Sequence, residues 1–197
     1  SQIDGLVRQL AAAALPDGSF GWITRRGGPD AESTAHVVLA LQRAKAAGFA
    51  NPTAAAGARW LLDAVRGRPE GERALLERAL VASGHDRFEN LNALHRRRAS
   101  LDPDSLSHRA LAWRECKRPE LAAEIEQEAT TRIVRTSEHA VAFARLAQSR
   151  LLGDRGDPQA REWLGWGESV PEGGVWPSTA VTAGPGRGPA APPRSHT

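Results

Sequence analysis

Few residues in this chain could do chemistry: one cysteine, six histidines and a scatter of acids. Cys116 sits in Arg114-Glu115-Cys116-Lys117-Arg118. A thiolate with a histidine beside it in space would be a nucleophile. A lone, half-buried thiol on a helix explains the same letters more simply, and one cysteine forms no internal disulfide. His36, His85, His95, His108, His139 and His196 contain no pair at metal-ligand spacing. No catalytic, cofactor-binding or metal residue is therefore assigned. His36 and His139 follow similar runs, Ser33-Thr34-Ala35 and Thr136-Ser137-Glu138, which favours a structural ring near a helix cap. Asp102-Pro103-Asp104-Ser105 sets two carboxylates close together, and a turn and N-cap account for it. Asp30, Glu32, Glu168 and Glu172 flank glycine-aromatic turns, and paired acids there could cleave a glycosidic bond. Solvated loop acids are the expectation. Arg96-Arg97-Arg98 is the densest basic run. It lacks the aromatic or glycine neighbours of a nucleic-acid patch and reads as a solvated helix face.

The bulk composition frames these residues. The chain has 197 residues, 41% hydrophobic and 25% charged, enough for one domain with a real core. Its pI of about 9.9 arises from arginine in place of lysine, since the net charge is only +3. No apolar run approaches the roughly 20 residues that span a membrane, so direct membrane insertion is not expected. The chain begins at Ser1 without methionine or a basic-then-apolar leader, and is expected to be a piece of something longer.

The elements that must position these residues are short helices. Ile3, Leu6, Val7, Leu10 and Ala14 mark a first amphipathic helix, ending at Leu15-Pro16. Asp17-Gly18-Ser19-Phe20-Gly21-Trp22 follows as a glycine-aromatic turn with two large rings. Ser33 or Thr34 is the expected cap of a second helix, which stops at Gly48. Asn51-Pro52 opens a third helix, and Leu75 to Leu80 marks a fourth, ended by Ser83-Gly84. Phe88 to His95 marks a fifth and Leu106 to Trp113 a sixth. Pro119 opens a seventh, Ser137 caps an eighth, and Asp157-Pro158 opens a ninth. Nine short helices, no convincing strand and short connections predict antiparallel helical hairpins.

Two parts of the chain repeat. Ser33 to His36, Asn51-Pro52 and Ala58-Arg59-Trp60-Leu61 correspond to Thr136 to His139, Asp157-Pro158 and Ala160-Arg161-Glu162-Trp163-Leu164. The turn at Asp17–Trp22 has an echo in Gly173-Gly174-Val175-Trp176-Pro177-Ser178-Thr179-Ala180. Helix pairs repeated in this way bury their apolar faces only by stacking. Trp22, Trp60, Trp113, Trp163, Trp166 and Trp176 are expected as core and wedge residues at repeat positions. The chain divides into 1–183, an α/α-toroid-like fragment, and 184–197, a Gly/Pro-rich tail expected to be disordered. The last helix pair is expected to be missing, by truncation or a frame change.

Glycine-aromatic turns that punctuate helical hairpins resemble α/α-toroids, in which inner and outer rings of helices close a barrel. Within that group the chain most resembles the thioester-domain region of bacterial α-2-macroglobulin-like proteins. The motifs are Asp17 to Trp22, Ser33 to Leu41, Leu91-Asn92-Ala93-Leu94 and Trp176-Pro177-Ser178-Thr179. The expected fold class is all-α: an incomplete α/α-toroid of stacked helical hairpins with a disordered C-terminal tail. The resemblance implies a non-catalytic part of an endopeptidase inhibitor. A protease cuts a bait region elsewhere in the large protein, and the molecule rearranges and traps it. It implies export to the periplasm or cell surface. The implied partners are target proteases and β-sandwich domains of the same polypeptide. Thioester-bearing members carry Cys-x-Glu-Gln, which is absent here; it would fall before Ser1, or the member has no thioester. The alternatives are a toroidal enzyme of the terpene-cyclase or prenyltransferase class, whose class II acid motif Asp102 to Ser105 matches only in part, and a helical scaffold that binds peptides. Aromatics at 5% and the absence of tyrosine count against the enzyme, which needs aromatic faces for carbocations.

Overall fold

A computed structural model describes residues 2–22 and 28–169. Among these residues the chain is all-α. In order it forms α1 (Gln2–Ala12), α2 (Ala31–Ala46), α3 (Thr53–Ala64), α4 (Glu70–Ala82), α5 (Phe88–Arg96), α6 (Pro103–Glu115), α7 (Pro119–Arg132), α8 (Ala140–Gly153) and α9 (Pro158–Ser169). Two 3-10 turns, Arg98–Ser100 and Ser137–His139, lead into α6 and α8. The described residues contain no strand, only an isolated antiparallel bridge between Phe20 and Asp30. The echo at Gly173 to Ala180 and the tail at 184–197 lie outside the described residues.

The helices stop and start for local reasons. α2 and α4 end in the same motif, with Gly48 and Gly84 at φ +93° and +86°. The next N–H reaches back to the last turn, Phe49 to Ala44 O at 2.9 Å and His85 to Leu80 O at 3.1 Å. α6 ends likewise, with Arg118 N–H on Trp113 O at 2.9 Å, but its left-handed position is held by Lys117 at φ +58°. Asp102 starts α6 by accepting from Ser105 N at 2.9 Å, as expected. Asn51 accepts from Thr53 N at 2.8 Å, and Asp157 from Ala160 N at 3.0 Å. Two expected caps are corrected. Asp30, not Ser33 or Thr34, caps α2, accepting from Ser33 N at 2.7 Å. The 3-10 turn precedes α8, whose N-cap position is His139 with no side-chain cap bond. An aspartate at the cap leaves the Thr34 hydroxyl free for another task.

That task is holding the α1–α2 joint. Thr34 Oγ1 accepts from the buried Phe20 N–H at 2.9 Å and lies 2.6 Å from Asp30 O, to which it donates. Asp30 N–H donates to Phe20 O at 2.9 Å, and Leu15 N–H to Ser19 O at 2.8 Å. Gly18, at φ +87°, lies so close to α3 that a Cβ would come within 2.8 Å of Ala56 Cβ. Phe20 is buried, but Trp22 is 72% exposed, so the two rings of the turn are not both core. Ile3 and Leu6 are also largely exposed, leaving Val7 as the buried residue of α1.

Packing sorts the helices by position in the chain. α2, α4, α6 and α8 form a row, each against the next. α3, α5, α7 and α9 each lie against the even-numbered helix before them, and α1 lies against α2. The apolar core runs between the two sets. One cluster joins α2, α3 and α4 through Val38, Leu61 and Leu76. A larger one centres on Trp113, with Leu106, Ile125, Phe143, Leu146 and Trp163. Trp113 is fully buried and donates from Nε1 to His95 Nδ1 at 3.2 Å. Trp163 is buried and Trp60 and Trp166 partly so; Trp176 lies outside the described residues.

Candidate functional site

The first turns of α2, α4 and α6 come together at one end of the row. Ser105 Oγ donates to Asp102 Oδ2 at 2.6 Å and lies 3.0 Å from Gly71 O, so the start of α6 sits against that of α4. The three turns and the approach to α4 line a pocket of about 430 Å³, with Asp30, Glu32, Glu72, Asp102, Asp104 and Arg68 on its wall. Shared N-terminal ends mean that α2, α4 and α6 run parallel. Their unpaired N–H groups favour the acids that cluster here.

Most of these acids are committed. Asp30 and Asp102 cap helices. Glu72 pairs with Arg68 at 2.9 Å. Asp104 pairs with Arg145 of α8 and lies 3.5 Å from His108 Nε2. Burial works against ionising Asp104, but the His108 N–H and the Arg145 guanidinium reverse it and hold the carboxyl well below its usual range. Glu32 moves the other way: burial, then Asp30 and Asp104, raise its pKa. Glu32 lies in the first turn of α2 rather than in a loop, and Glu168 lies in α9. Glu172 is outside the described residues.

Behind the pocket, a line of polar groups runs between the even-numbered helices, buried at Arg78 and His108 and open to solvent at its Asp104 end. His108 is 2% exposed. Arg78 NH1 lies 3.3 Å from His108 Nδ1. A guanidinium only donates, so Nδ1 accepts and the proton sits on Nε2, facing Asp104. Arg78 in turn donates to Glu115 Oε1 from Nε and NH2, both at 3.2 Å. The line thus runs Glu115–Arg78–His108–Asp104–Arg145 through α6, α4 and α8. His36 of α2 stacks obliquely on it, 6.2 Å from the His108 ring. Burial, then Arg145, push His36 down to about 4. Burial pushes His108 to about 3, against the pull of Asp104. Both rings are neutral at physiological pH and can donate or accept a hydrogen bond without carrying charge. Farther along, Arg43 of α2 donates to Gln148 of α8 at 3.1 Å, joining the two ends of the row.

Other sequence candidates fall elsewhere. Cys116 is the half-buried C-cap of α6, and burial, then Glu115, raise its thiol pKa, which works against a nucleophilic thiolate. His139 Nδ1 lies 3.0 Å from Thr136 Oγ1 and from Val134 O, shaping the entry to α8. His36 and His139 therefore do not share an environment. The arginine run is not simply a solvated face: Arg97 pairs with Glu70 of α4, and Arg98 with Glu128 of α7 at 2.7 Å. Among the described residues no group of His, Cys, Asp and Glu is arranged to hold a metal ion, and no helix is long and apolar enough to cross a membrane.

The buried line was not legible as a site because its members come from three helices. Arg78 and Glu115 are 37 positions apart, and Asp104 and Arg145 41. One signal was available: Glu77-Arg78 interrupts the apolar run Leu75-Leu76-Ala79-Leu80 of α4. No protein-family model, curated protein or solved structure matches this chain.

Proposed function

We propose that the chain is a non-catalytic part of a bacterial α-macroglobulin-like endopeptidase inhibitor, an incomplete α/α-toroid that packs against β-sandwich domains of a larger exported polypeptide. The observation that carries the reading is the α1–α2 joint. The residues of the resemblance, Asp17 to Phe20 and Thr34, are the ones whose backbone and hydroxyl contacts fix the turn. The row of even-numbered helices with odd-numbered ones packed against it supports the reading, since a toroid is built from an inner and an outer layer of helices. The helices serve as a rigid body, and the trapping chemistry, where present, belongs to residues outside this chain. The partners on this reading are target proteases, met in the periplasm or at the cell surface.

The acidic pocket is the feature that favours the toroidal-enzyme alternative. Protonating an alkene requires a carboxylic acid kept un-ionised; Asp104 of the acidic motif is held as a carboxylate, and only Glu32 on the pocket wall shifts toward the acid form. The domain content of the full polypeptide separates the readings. Several β-sandwich domains beside these helices are expected; further helical pairs leading directly to a start codon would contradict the proposal.

A further inference from the structure

We propose that the junction of α4, α5 and α6 binds a small inorganic anion of the halide class, held by the guanidinium groups of Arg109 and Arg73. Arg109 projects from α6 into the core and is 1% exposed. Its Nε, NH1 and NH2 all lack a hydrogen-bond partner, and so does the enclosed Nε of Arg73 on α4. The Arg109 guanidinium lies against Trp113, 5.5 Å from the ring centroid, which provides a face but no acceptor. A buried cation stripped of water and hydrogen bonds is among the costliest arrangements in a protein interior.

The local ion pairs leave the Arg109 donors without an acceptor of their own. Arg73 and Arg87 meet at the carboxylate of Glu77, which is fully buried. Its Oε2 accepts from Arg87 Nε at 2.7 Å. Its Oε1 accepts from Arg87 NH2 at 3.0 Å and from Asn90 Nδ2 at 2.9 Å, with Arg73 NH2 at 3.6 Å. Arg73 and Arg87 thus share one carboxylate whose oxygens are already in use, and it makes no hydrogen bond to Arg109. Burial pushes Arg109 down to about 9, against the pull of Glu77 and Cys116 and with the help of Arg73, so it stays cationic at neutral pH. Water could accept the orphan N–H groups but would leave the excess positive charge. An anion satisfies both. Enclosure favours a small, singly charged and easily dehydrated ion. The side chains of Arg73 and Arg87 are 29% and 20% exposed, so the proposed ion would exchange with solvent past them.

The full chain can be melted while chloride replaces methanesulfonate at constant ionic strength. Above the dissociation constant, chloride should raise Tm by about 3–5 °C per tenfold increase. Arg109→Met, which keeps the contact with Trp113 and removes the charge, should abolish that response. Should Arg109→Met not fold, bromide-soaked crystals of the wild-type chain provide the test, with an anomalous peak expected within hydrogen-bond distance of the Arg109 guanidinium. Identical melting in the two salts, an undiminished chloride response in Arg109→Met, or a guanidinium surrounded by water alone would overturn the proposal. So would a bromide peak without any shift in melting, which marks an adventitious ion only.

Discussion

His108 has its tautomer set by Arg78 on one side and its proton aimed at Asp104 on the other, so charging it means charging a sealed interior. Its folded pKa of about 3, and that of His36 near 4, lie below the ordinary value of 6.5. The unfolded chain therefore binds more protons between those values. The stabilisation is fully present above about pH 6.5 and is lost as pH falls toward 3–4, at up to about 1.4 kcal/mol per pH unit per histidine. Asp104, depressed in turn, adds a loss of the same sign at lower pH still. Urea unfolding at pH 7.5, 6 and 5 should show stability falling below pH 6.5, and His108→Asn should flatten the profile; equal stability at all three values would refute this. Lys117 supplies a second test, because its φ of +58° is a conformation that glycine adopts without strain. Lys117→Gly should stabilise the chain by about 0.5–1 kcal/mol, read as a higher urea midpoint. A lower midpoint would mean that the lysine stem contributes packing that outweighs the backbone strain.

At the scale of elements, the α1–α2 joint shows what a sequence can and cannot reveal. Asp17-Gly18 reads as a turn from its letters, and Gly18 does hold a positive φ beside α3. Which residue caps α2 was harder to read, because Asp30, Ser33 and Thr34 are all good cap residues. The choice was made by tertiary contact: Thr34 is drawn away to the buried Phe20 N–H, and Asp30 takes the cap. Trp22 misled for the reverse reason, since a large ring beside a glycine turn need not be buried once Phe20 has filled the site. Thr34→Val keeps the shape and removes the only side-chain acceptor of Phe20 N–H. It should cost about 1–3 kcal/mol, whereas Thr34→Ser should cost clearly less. Thermal unfolding of both variants decides it, and a Val variant as stable as wild type would contradict the role given to the hydroxyl. Helix positions, by contrast, were legible almost throughout, because apolar spacing and Gly, Pro and Asp punctuation are local signals.

For the whole molecule, the consequence of the parallel row is a division of labour. The odd-numbered helices cover an apolar core. The even-numbered ones enclose charged groups that link α4, α6 and α8, while Arg43 and Gln148 bring α2 and α8 together. None of this long-range polar pairing has a periodicity, which is why the interior line of Glu115, Arg78, His108 and Asp104 had to be seen in three dimensions. It ties the helices to one another, in keeping with the structural role proposed for the chain. The most direct test of the proposed function is to incubate the larger polypeptide it calls for with a set of endopeptidases and follow their activity on a protein substrate. Cleavage of the polypeptide, with the protease carried into a stable complex and its activity on the protein substrate lost, is the predicted result. Proteases that stay free and fully active after the polypeptide has been cut would contradict it.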